Sequence, residues 1–289
     1  MPEPYRFLVA ESEAPEDRAA RRESTGQSSG ETYAGTLRAL VPGALCDQIK
    51  PAEGEAEAVS ADALRRYDAV FFCGSPLHVY EETPETARLL AFMRAVFRSG
   101  TPAFGSCAGL QVAVAAAGGR VRSIPEGREA GFARRIAPTE AGRHHPLLAG
   151  RPPAYDAPTA HGDEVEALPE GAVLLATGST THVQAAEIRF AGGVFWGVQY
   201  HPELSLHEIA AALRRQAGSL VSEGLAASRA AAETHADRVE ALAREPGRRD
   251  LAWQLGLDAQ VTDPALRQLE LRNFLRHLVE PVRTARGRG

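Results

Sequence analysis

Two short stretches of the sequence hold residue types that could do covalent chemistry. In the first, Cys107 lies between Gly105 and Gly109, after a short apolar run and before an Ala/Val-rich segment. This order predicts a strand, a tight turn and a helix, because glycine tolerates the dihedral angles that such a turn imposes. A helix N-terminus stabilises negative charge and so favours the reactive thiolate. Cys107 is therefore a candidate nucleophile, although a lone cysteine between glycines can also be a small buried residue.

The second stretch could supply a base for that nucleophile. An apolar run over residues 194–200 predicts a buried strand and leads directly into His201, Pro202 and Glu203. A thiol nucleophile needs a base that takes its proton, and the base needs a group that orients it. His201 could take the proton while Glu203 holds the imidazole, and Pro202 fixes the backbone between them. A histidine after a strand is often only structural, but the two stretches together favour a Cys–His–Glu triad.

With these motifs the sequence resembles the class I, or triad-type, glutamine amidotransferases, especially glutaminase domains like that of GMP synthetase. The resemblance spans roughly residues 5–215, and its motifs are the stretches 73–76, 105–111, 160–165 and 201–203. It implies a three-layer α/β fold of the flavodoxin-like kind, with a central, mostly parallel sheet. It also implies a hydrolytic enzyme that uses a cysteine nucleophile and needs neither a metal nor an organic cofactor.

The resemblance implies roles for further residues around the nucleophile. The backbone N–H groups of Ser75 and Ala108 would form the oxyanion hole, where each such donor is worth a few kcal/mol in the transition state. Many relatives carry glycine where Ser75 stands. Gly74, Gln111 and His161 would bind the substrate. Taken by themselves, the stretches around Gly74 and His161 could also be ordinary turns.

The composition excludes several other classes of function. The chain has 289 residues, 44% of them hydrophobic, and a net charge of −5 without a basic stripe, so neither a nucleic acid nor a membrane surface is expected as a partner. Lys50 is the only lysine, which argues against a Walker-type nucleotide loop and a lysine-bound cofactor. Cys46, Cys73 and Cys107 are scattered, and no apolar run approaches the length of a membrane span. We therefore expect a cytoplasmic protein.

The order of predicted elements supports the α/β architecture. Apolar strands over residues 5–10, 45–49 and 69–73 precede an amphipathic helix over 84–99, and further strands lead to a helix predicted over 206–222. The polar stretch 24–30 is predicted to be a surface loop. We divide the chain into a glutaminase domain, residues 1–222, and a helical C-terminal extension, residues 223–289, whose apolar stripe would pack on its own domain or on a partner.

The predicted reaction is hydrolysis of the side-chain amide of L-glutamine, or of a similar γ-glutamyl bond, through a γ-glutamyl thioester on Cys107. In such families the ammonia normally passes to a synthase, and this chain has no recognisable signature of one, so a separate acceptor enzyme would receive it. One alternative is a stand-alone γ-glutamyl amide or peptide hydrolase that uses the same triad. A second alternative is a regulatory subunit that keeps the fold without catalysis.

Overall fold

The computed structural model describes residues 3–55, 59–125 and 127–288. The described residues leave out 1–2, 56–58, 126 and 289. The first residues of the predicted glutaminase domain and the last residue of the predicted extension are among these. The strands are β1 (Arg6–Ala10), β2 (Leu45–Ile49), β3 (Ala69–Phe72), β4 (Ala103–Ser106), β5 (Arg120–Ser123), β6 (Glu129–Pro138), β7 (Tyr155–His161), β8 (Asp163–Ala167), β9 (Val173–Thr177), β10 (Ala185–Phe190) and β11 (Gly193–Val198).

The helices alternate with the strands in the first part of the chain and follow one another after β11. They are α1 (Pro15–Thr25), α2 (Ser29–Leu40), α3 (Ala61–Leu64), α4 (Pro84–Ser99), α5 (Ala108–Ala116), α6 (Glu140–His144), α7 (Leu206–Arg215), α8 (Ala217–Ser222), α9 (Arg229–Arg244), α10 (Arg249–Leu255), α11 (Ala259–Thr262), α12 (Pro264–Arg267), α13 (Leu269–Phe274) and α14 (Glu280–Ala285). Short 3₁₀ turns lie at Pro51–Glu53 and Pro146–Leu148, and a π-helical turn at Leu275–Val279 joins α13 to α14.

A large mixed sheet forms the middle layer of the molecule. Within the described residues it has nine strands in the order β2-β1-β3-β4-β11-β10-β9-β6-β7, and β5 pairs with β8 in a separate ribbon. The pairs from β2 to β11 are parallel, whereas those from β11 to β7 are antiparallel. Ser106 of β4 lies opposite Val198 of β11, so the residues that follow these two strands emerge at the same edge of the sheet.

Two apolar clusters cover the two faces of this sheet and make the fold three-layered. On one face α2 and α13 pack against Phe71 and Phe104, and on the other α4 and α5 pack against Phe72. The predicted amphipathic helix over 84–99 is α4, whose apolar side is partly buried at Leu90 and buried at the following residues: Leu89, Phe92, Met93, Val96 and Phe97. Each contributes about 1.5–3 kcal/mol by leaving water. The predicted three-layer α/β fold with C-terminal helices is confirmed.

Two local predictions were only partly right. Only part of the stretch 24–30 is a surface loop: residues 24 and 25 end α1, Gly26 and Gln27 are exposed, and residues 28–30 are buried at the start of α2, which Ser28 caps. The Gly30 amide donates to the Glu11 carboxylate at 2.8 Å, so the buried end of this stretch has a partner for its amide. The helix predicted over 206–222 divides into α7 and α8, since the backbone of Gln216 (φ −92°, ψ 4°) departs from helical values.

The last helices contribute to the core of the sheet. The Phe274 ring lies edge-on to Phe71, with 5.5 Å between centroids, and also packs against Phe104. After the π-helical turn, Arg283 forms a 2.7 Å ion pair with Asp68, and both side chains are buried. The apolar stripe that was predicted for this region therefore packs on its own chain.

Candidate active site

The turn between β4 and α5 holds Cys107 in an unusual backbone conformation. Its dihedral angles are φ 55° and ψ −112°, and its amide donates to the Val198 carbonyl oxygen at 2.8 Å. Such strain costs about 1–3 kcal/mol and is found where function needs it. A Cβ on Gly109 would lie 2.6 Å from the Phe72 carbonyl oxygen, so only glycine lets the helix approach the sheet this closely. The thiol is thus fixed at the N-terminus of α5.

His201 and Glu203 follow β11, beside the turn between β4 and α5 that holds Cys107. The His201 Nδ1 lies 2.7 Å from Glu203 Oε1, and both side chains are buried. Burial alone lowers the pKa of His201, but the Glu203 carboxylate and the Cys107 side chain outweigh it and raise this pKa to about 10. The backbone amide of His201 donates to the Pro158 carbonyl oxygen at 2.8 Å, which fixes the loop. The Glu203 carboxylate therefore favours the charged form of the imidazole, which lies beside the Cys107 side chain.

Ser106 holds Glu203 directly, and Tyr33 in turn contacts Ser106. The Ser106 hydroxyl donates to Glu203 Oε2 at 2.9 Å, and the Tyr33 hydroxyl lies 2.9 Å from the Ser106 oxygen. All three side chains are buried. No sequence pattern indicated these contacts, because Tyr33 lies in α2, far along the chain from Glu203. Together they fix the carboxylate that orients His201.

Replacing Ser106 should weaken catalysis moderately. In Ser106→Ala, the Glu203 carboxylate loses the hydrogen bond that the Ser106 hydroxyl donates. A hydrogen bond to a charged group is worth about 1.5–3 kcal/mol. We expect kcat to fall about tenfold with little change in KM. The reason is that a less firmly held Glu203 orients the His201 imidazole less well, while the substrate contacts are unchanged. Ser99→Ala is the matched control, because Ser99 is equally buried and its hydroxyl donates only to Val96 within α4. An unchanged kcat in Ser106→Ala would mean that Glu203 is held without Ser106.

Gly74 lies directly beside the imidazole. A Cβ at this position would be only 2.7 Å from His201 Cε1, so alanine must displace the ring. A displacement of about 1 Å in a catalytic group can cost a factor of about 100. We expect Gly74→Ala to lower kcat by about that factor, measured with the thermal midpoint as a check on folding. Gly162→Ala is the control, since Gly162 also lines the cavity but its Cβ would contact nothing within 4 Å. Normal turnover in Gly74→Ala would exclude this ring as the base.

The predicted oxyanion donors are the backbone amides of Ser75, which lines the same cavity as Cys107, and of Ala108, which directly follows Cys107 in the chain. Ala108 is the first residue of α5, and Ser75 lies in the loop after β3. Among the hydrogen bonds of the described residues, the amides of Ser75 and Ala108 have no acceptor. The Ser75 hydroxyl donates to the Ser12 carbonyl oxygen at 3.0 Å and accepts from the Leu77 amide, which fixes this loop. Neither N–H group is thus paired with an acceptor of the described residues; Ser75 lines the cavity, whereas Ala108 is not among its lining residues, and their role as oxyanion donors stays a prediction.

The predicted substrate-binding residues Gln111 and His161 are held by protein groups. The Gln111 side-chain amide donates to the Asp163 carbonyl oxygen at 3.0 Å and to Gln199 Oε1 at 3.2 Å. His161 Nδ1 donates to the same Asp163 carbonyl oxygen, and Nε2 lies 3.0 Å from Glu129 Oε2. Both residues are buried and line the same cavity as Cys107. They form a rigid wall beside the thiol.

The cavity has a volume of about 450 Å³, within the usual range for small-molecule sites. It brings together nearly every predicted site residue: Gly74, Ser75, Cys107, Gln111, His161, His201 and Glu203. It also has a wall that sequence reasoning missed, from the segment before α2 and from α7: Glu13, Asp17, Arg21, Glu208 and Arg215. Over the part of the chain that is described, no group of three His, Cys, Asp or Glu side chains has a geometry suited to a metal ion.

A thiol at a strand-to-helix elbow, beside a His–Glu pair that follows the adjacent parallel strand, defines the class of α/β proteins with a cysteine nucleophile. The family model "Glutamine amidotransferase class-I" matches residues 44–217. The chain belongs to the class I glutamine amidotransferase family, so the predicted family and its enzymatic character are confirmed.

Two similar proteins of known activity differ in how much of this chain they match. A gamma-glutamyl-L-1-hydroxyisopropylamide hydrolase of a Pseudomonas species is 34% identical over 285 residues, covering 97% of this chain and 95% of that protein. A glutamine-hydrolysing GMP synthase of Thiobacillus denitrificans is 35% identical over 163 residues, covering 51% of this chain but only 28% of the synthase. The chain thus spans about a quarter of that synthase and nearly all of the hydrolase.

A solved glutamine amidotransferase from Thermotoga maritima shares the fold. It superposes with a TM-score of 0.64 at 17% identity, covering 96% of this chain and all of that one. At this identity the likeness concerns the fold alone. Among the described helices, none is long and apolar enough to cross a lipid bilayer.

Proposed function

We propose that the chain hydrolyses the γ-amide bond of a γ-glutamyl compound and releases glutamate and an amine. The observation that carries this proposal is the 34% identity to a γ-glutamyl amide hydrolase over nearly the whole chain. That match extends beyond residue 217, where the family model ends. We assign the chemistry to residues 1–222, and residues 223–289 form a helical extension that supports the sheet through Phe274.

Each step of the proposed reaction has a side chain or backbone group to perform it. The Cys107 thiolate attacks the γ-carbonyl carbon, and the amides of Ser75 and Ala108 stabilise the oxyanion. The C–N bond breaks as the His201 imidazolium protonates the leaving amine, which leaves a γ-glutamyl thioester. Water then attacks the thioester while His201 accepts its proton, and glutamate leaves. Glu203 holds the imidazole throughout.

A second candidate is a glutaminase that supplies ammonia to a separate synthase. The similarity of about half of the chain to a GMP synthase favours it. In this case L-glutamine itself is the substrate and the leaving group is ammonia. The two candidates share the triad and differ only in what is attached to the amide nitrogen.

A substrate panel tests the proposal. The purified chain is incubated with L-glutamine, γ-glutamyl alkylamides and the isomeric α-glutamyl amides, and glutamate, amine and ammonia are measured. We expect γ-glutamyl alkylamides to have a kcat/KM at least about tenfold above that of L-glutamine, and α-glutamyl amides to be inert. Acid quenching followed by mass spectrometry should find a γ-glutamyl group on the peptide that contains Cys107.

Three other outcomes would decide against the proposal. A preference for L-glutamine would favour the glutaminase. Turnover without a γ-glutamyl group on Cys107 would contradict the thioester route. An absence of both turnover and labelling on every substrate would favour the regulatory subunit.

A further inference from the structure

A side chain of the C-terminal helices reaches the residue that directly precedes His201. Glu270 lies in α13, and its side chain is fully buried. The Tyr200 hydroxyl, which is also buried, donates to Glu270 Oε1 at 2.8 Å. Since Tyr200 and His201 are consecutive in the chain, a contact that fixes Tyr200 also restrains the backbone of His201. The C-terminal extension is thus connected to the loop that carries His201.

The carboxylate of Glu270 is itself held at both oxygens. Arg151 Nε donates to Oε1 and Arg151 Nη2 to Oε2, each at 2.7 Å. The side chains of Arg151 and Glu270 are 1% and 0% exposed. The guanidinium also donates to Gln260 Oε1 at 2.8 Å and to the Arg267 carbonyl oxygen at 3.2 Å. A two-point bond between a guanidinium and a carboxylate fixes the direction of the carboxylate as well as its position.

Stability alone does not account for this buried ion pair. Removing two charges from water costs about as much free energy as their attraction gains, and apolar residues of similar volume often stabilise a core more. The neighbouring core residues Leu271 and Phe274 are apolar. Unlike an apolar side chain, Glu270 supplies an acceptor for the Tyr200 hydroxyl. Burial, followed by the Glu270 carboxylate, raises the pKa of Tyr200 well above its usual range, so this hydroxyl stays protonated and donates.

Helix α13 is firmly placed against the rest of the chain. Asn273 Nδ2 donates to the carbonyl oxygens of Leu147 and Ala149, at 2.9 and 2.8 Å, in the turn that leads to Arg151. Phe274 packs against the sheet. Residues three and four apart are neighbours on a helix, so residues 270, 273 and 274 share one face of α13. This face gives Glu270 a rigid support.

Strand β7 holds the same loop by different contacts. The His201 amide donates to the Pro158 carbonyl oxygen, and the Tyr155 hydroxyl lies 2.8 Å from that of Tyr200. A phenol has one proton, and that of Tyr200 is donated to Glu270, so Tyr155 is the donor in the second contact. Removing the Tyr155 hydroxyl therefore leaves the bond from Tyr200 to Glu270 in place.

We propose that Glu270 is a positioning residue for the triad, which holds Tyr200 and, through Tyr200, the loop that orients the His201 imidazole beside Cys107. This inference rests on the proposed function, in which His201 transfers the proton. Small displacements of a group that transfers protons lower the rate even when their cause is remote from the reacting atoms. The C-terminal extension then completes the active site in addition to covering the sheet.

Tyr200→Phe is the variant that tests this role. It removes one oxygen and keeps both the ring and the Arg151–Glu270 pair, whereas Glu270→Gln would leave Arg151 buried without its counter-ion. With the best γ-glutamyl alkylamide of the substrate panel, we expect kcat to fall about tenfold and KM to change by less than about twofold. The reason is that the imidazole is less firmly oriented while the cavity wall is unchanged.

A second measurement does not depend on any substrate. Iodoacetamide is added at neutral pH, and mass spectrometry follows alkylation of the peptide that contains Cys107. The reagent reacts with the thiolate, which a neighbouring imidazolium favours. In Tyr200→Phe we expect this rate to fall at least about threefold, because the imidazole is held less well beside the sulfur.

Tyr155→Phe is the matched control. Tyr155 is nearly as buried as Tyr200, and the substitution removes the same atom from the same contact. We expect the two variants to lose similar free energies of unfolding in urea. Tyr155→Phe should nevertheless keep kcat and the alkylation rate within about twofold of the parent chain.

The outcomes separate this inference from the proposed function. An unchanged kcat or an unchanged alkylation rate in Tyr200→Phe would show that the imidazole is oriented without Glu270. Equal losses of kcat in Tyr200→Phe and Tyr155→Phe would assign Tyr200 a merely structural role, and either result would overturn the inference. If the intact chain hydrolysed no substrate, the proposed function would fail, and the alkylation rates of the two variants would decide the inference alone.

Discussion

Cys107→Ala should abolish turnover of every γ-glutamyl amide, with kcat reduced by at least about 10⁴-fold. Without the sulfur no thioester forms, and the oxyanion donors alone give little acceleration. Substrate affinity should survive, because the remaining cavity residues are unchanged. Steady-state kinetics and equilibrium binding of a γ-glutamyl amide measure the two effects separately.

Cys73→Ala is the control for this variant. Cys73 is another buried thiol, close to the sheet edge, but it does not line the cavity. Its loss should alter stability and leave kcat within about twofold of the parent chain. If Cys107→Ala hydrolysed amides at the parent rate, the nucleophile would have to be sought elsewhere.

Glu203→Gln should lower kcat by about 10³–10⁴-fold, as expected when the group that orients a catalytic histidine loses its charge. It should also shift the pH dependence. Burial lowers the pKa of His201, and the Glu203 carboxylate is the first of the groups that reverse this and raise it to about 10. In the proposed mechanism the His201 imidazolium protonates the leaving amine, and this charged form is lost as the pH rises through that pKa. In Glu203→Gln we expect the alkaline limb of kcat/KM to move to lower pH.

The raised pKa of His201 also makes the free energy of unfolding depend on pH. A histidine whose folded pKa exceeds its unfolded value of about 6.5 stabilises the fold fully below that value, and this contribution is lost as the pH rises through about 10.

Glu187→Gln is the matched control for the kinetic effect of Glu203→Gln, because Glu187 is a buried carboxylate paired with His145 away from the cavity. Should Glu187→Gln reduce kcat as severely, the effect of Glu203→Gln would reflect general destabilisation.

The sequence predicted most reliably those features that depend on neighbouring residues. Helix α4 begins at Pro84 after the Thr83 cap and ends before Gly100, whose φ of 65° suits glycine, so both bounds could be predicted. The elbow around Cys107 and the His201–Glu203 pair are likewise local patterns. The structure adds that the strands preceding them, β4 and β11, are parallel neighbours.

Features that depend on distant residues could not be predicted. The composition of the segment before α2 is typical of a solvated loop, and only the folded chain brings Glu11 to the Gly30 amide and Glu13 to the cavity. The bond from Ser106 to Glu203 joins residues 97 positions apart, and no local pattern indicates such a contact. The triad could therefore be proposed from sequence, whereas the groups that hold it and surround its substrate could not.

The ion pair between Arg283 and Asp68 also bears on how the chain folds as it is synthesised. The two residues are 215 positions apart, and Phe274 reaches the β3 side chain Phe71 from a similar distance along the chain. While a ribosome still holds the last helices, this face of the sheet lacks its cover and Asp68 lacks its cation. Contacts between such distant residues slow folding and prolong exposure of apolar surface. The nascent chain should therefore depend on chaperones until α13 and α14 have emerged.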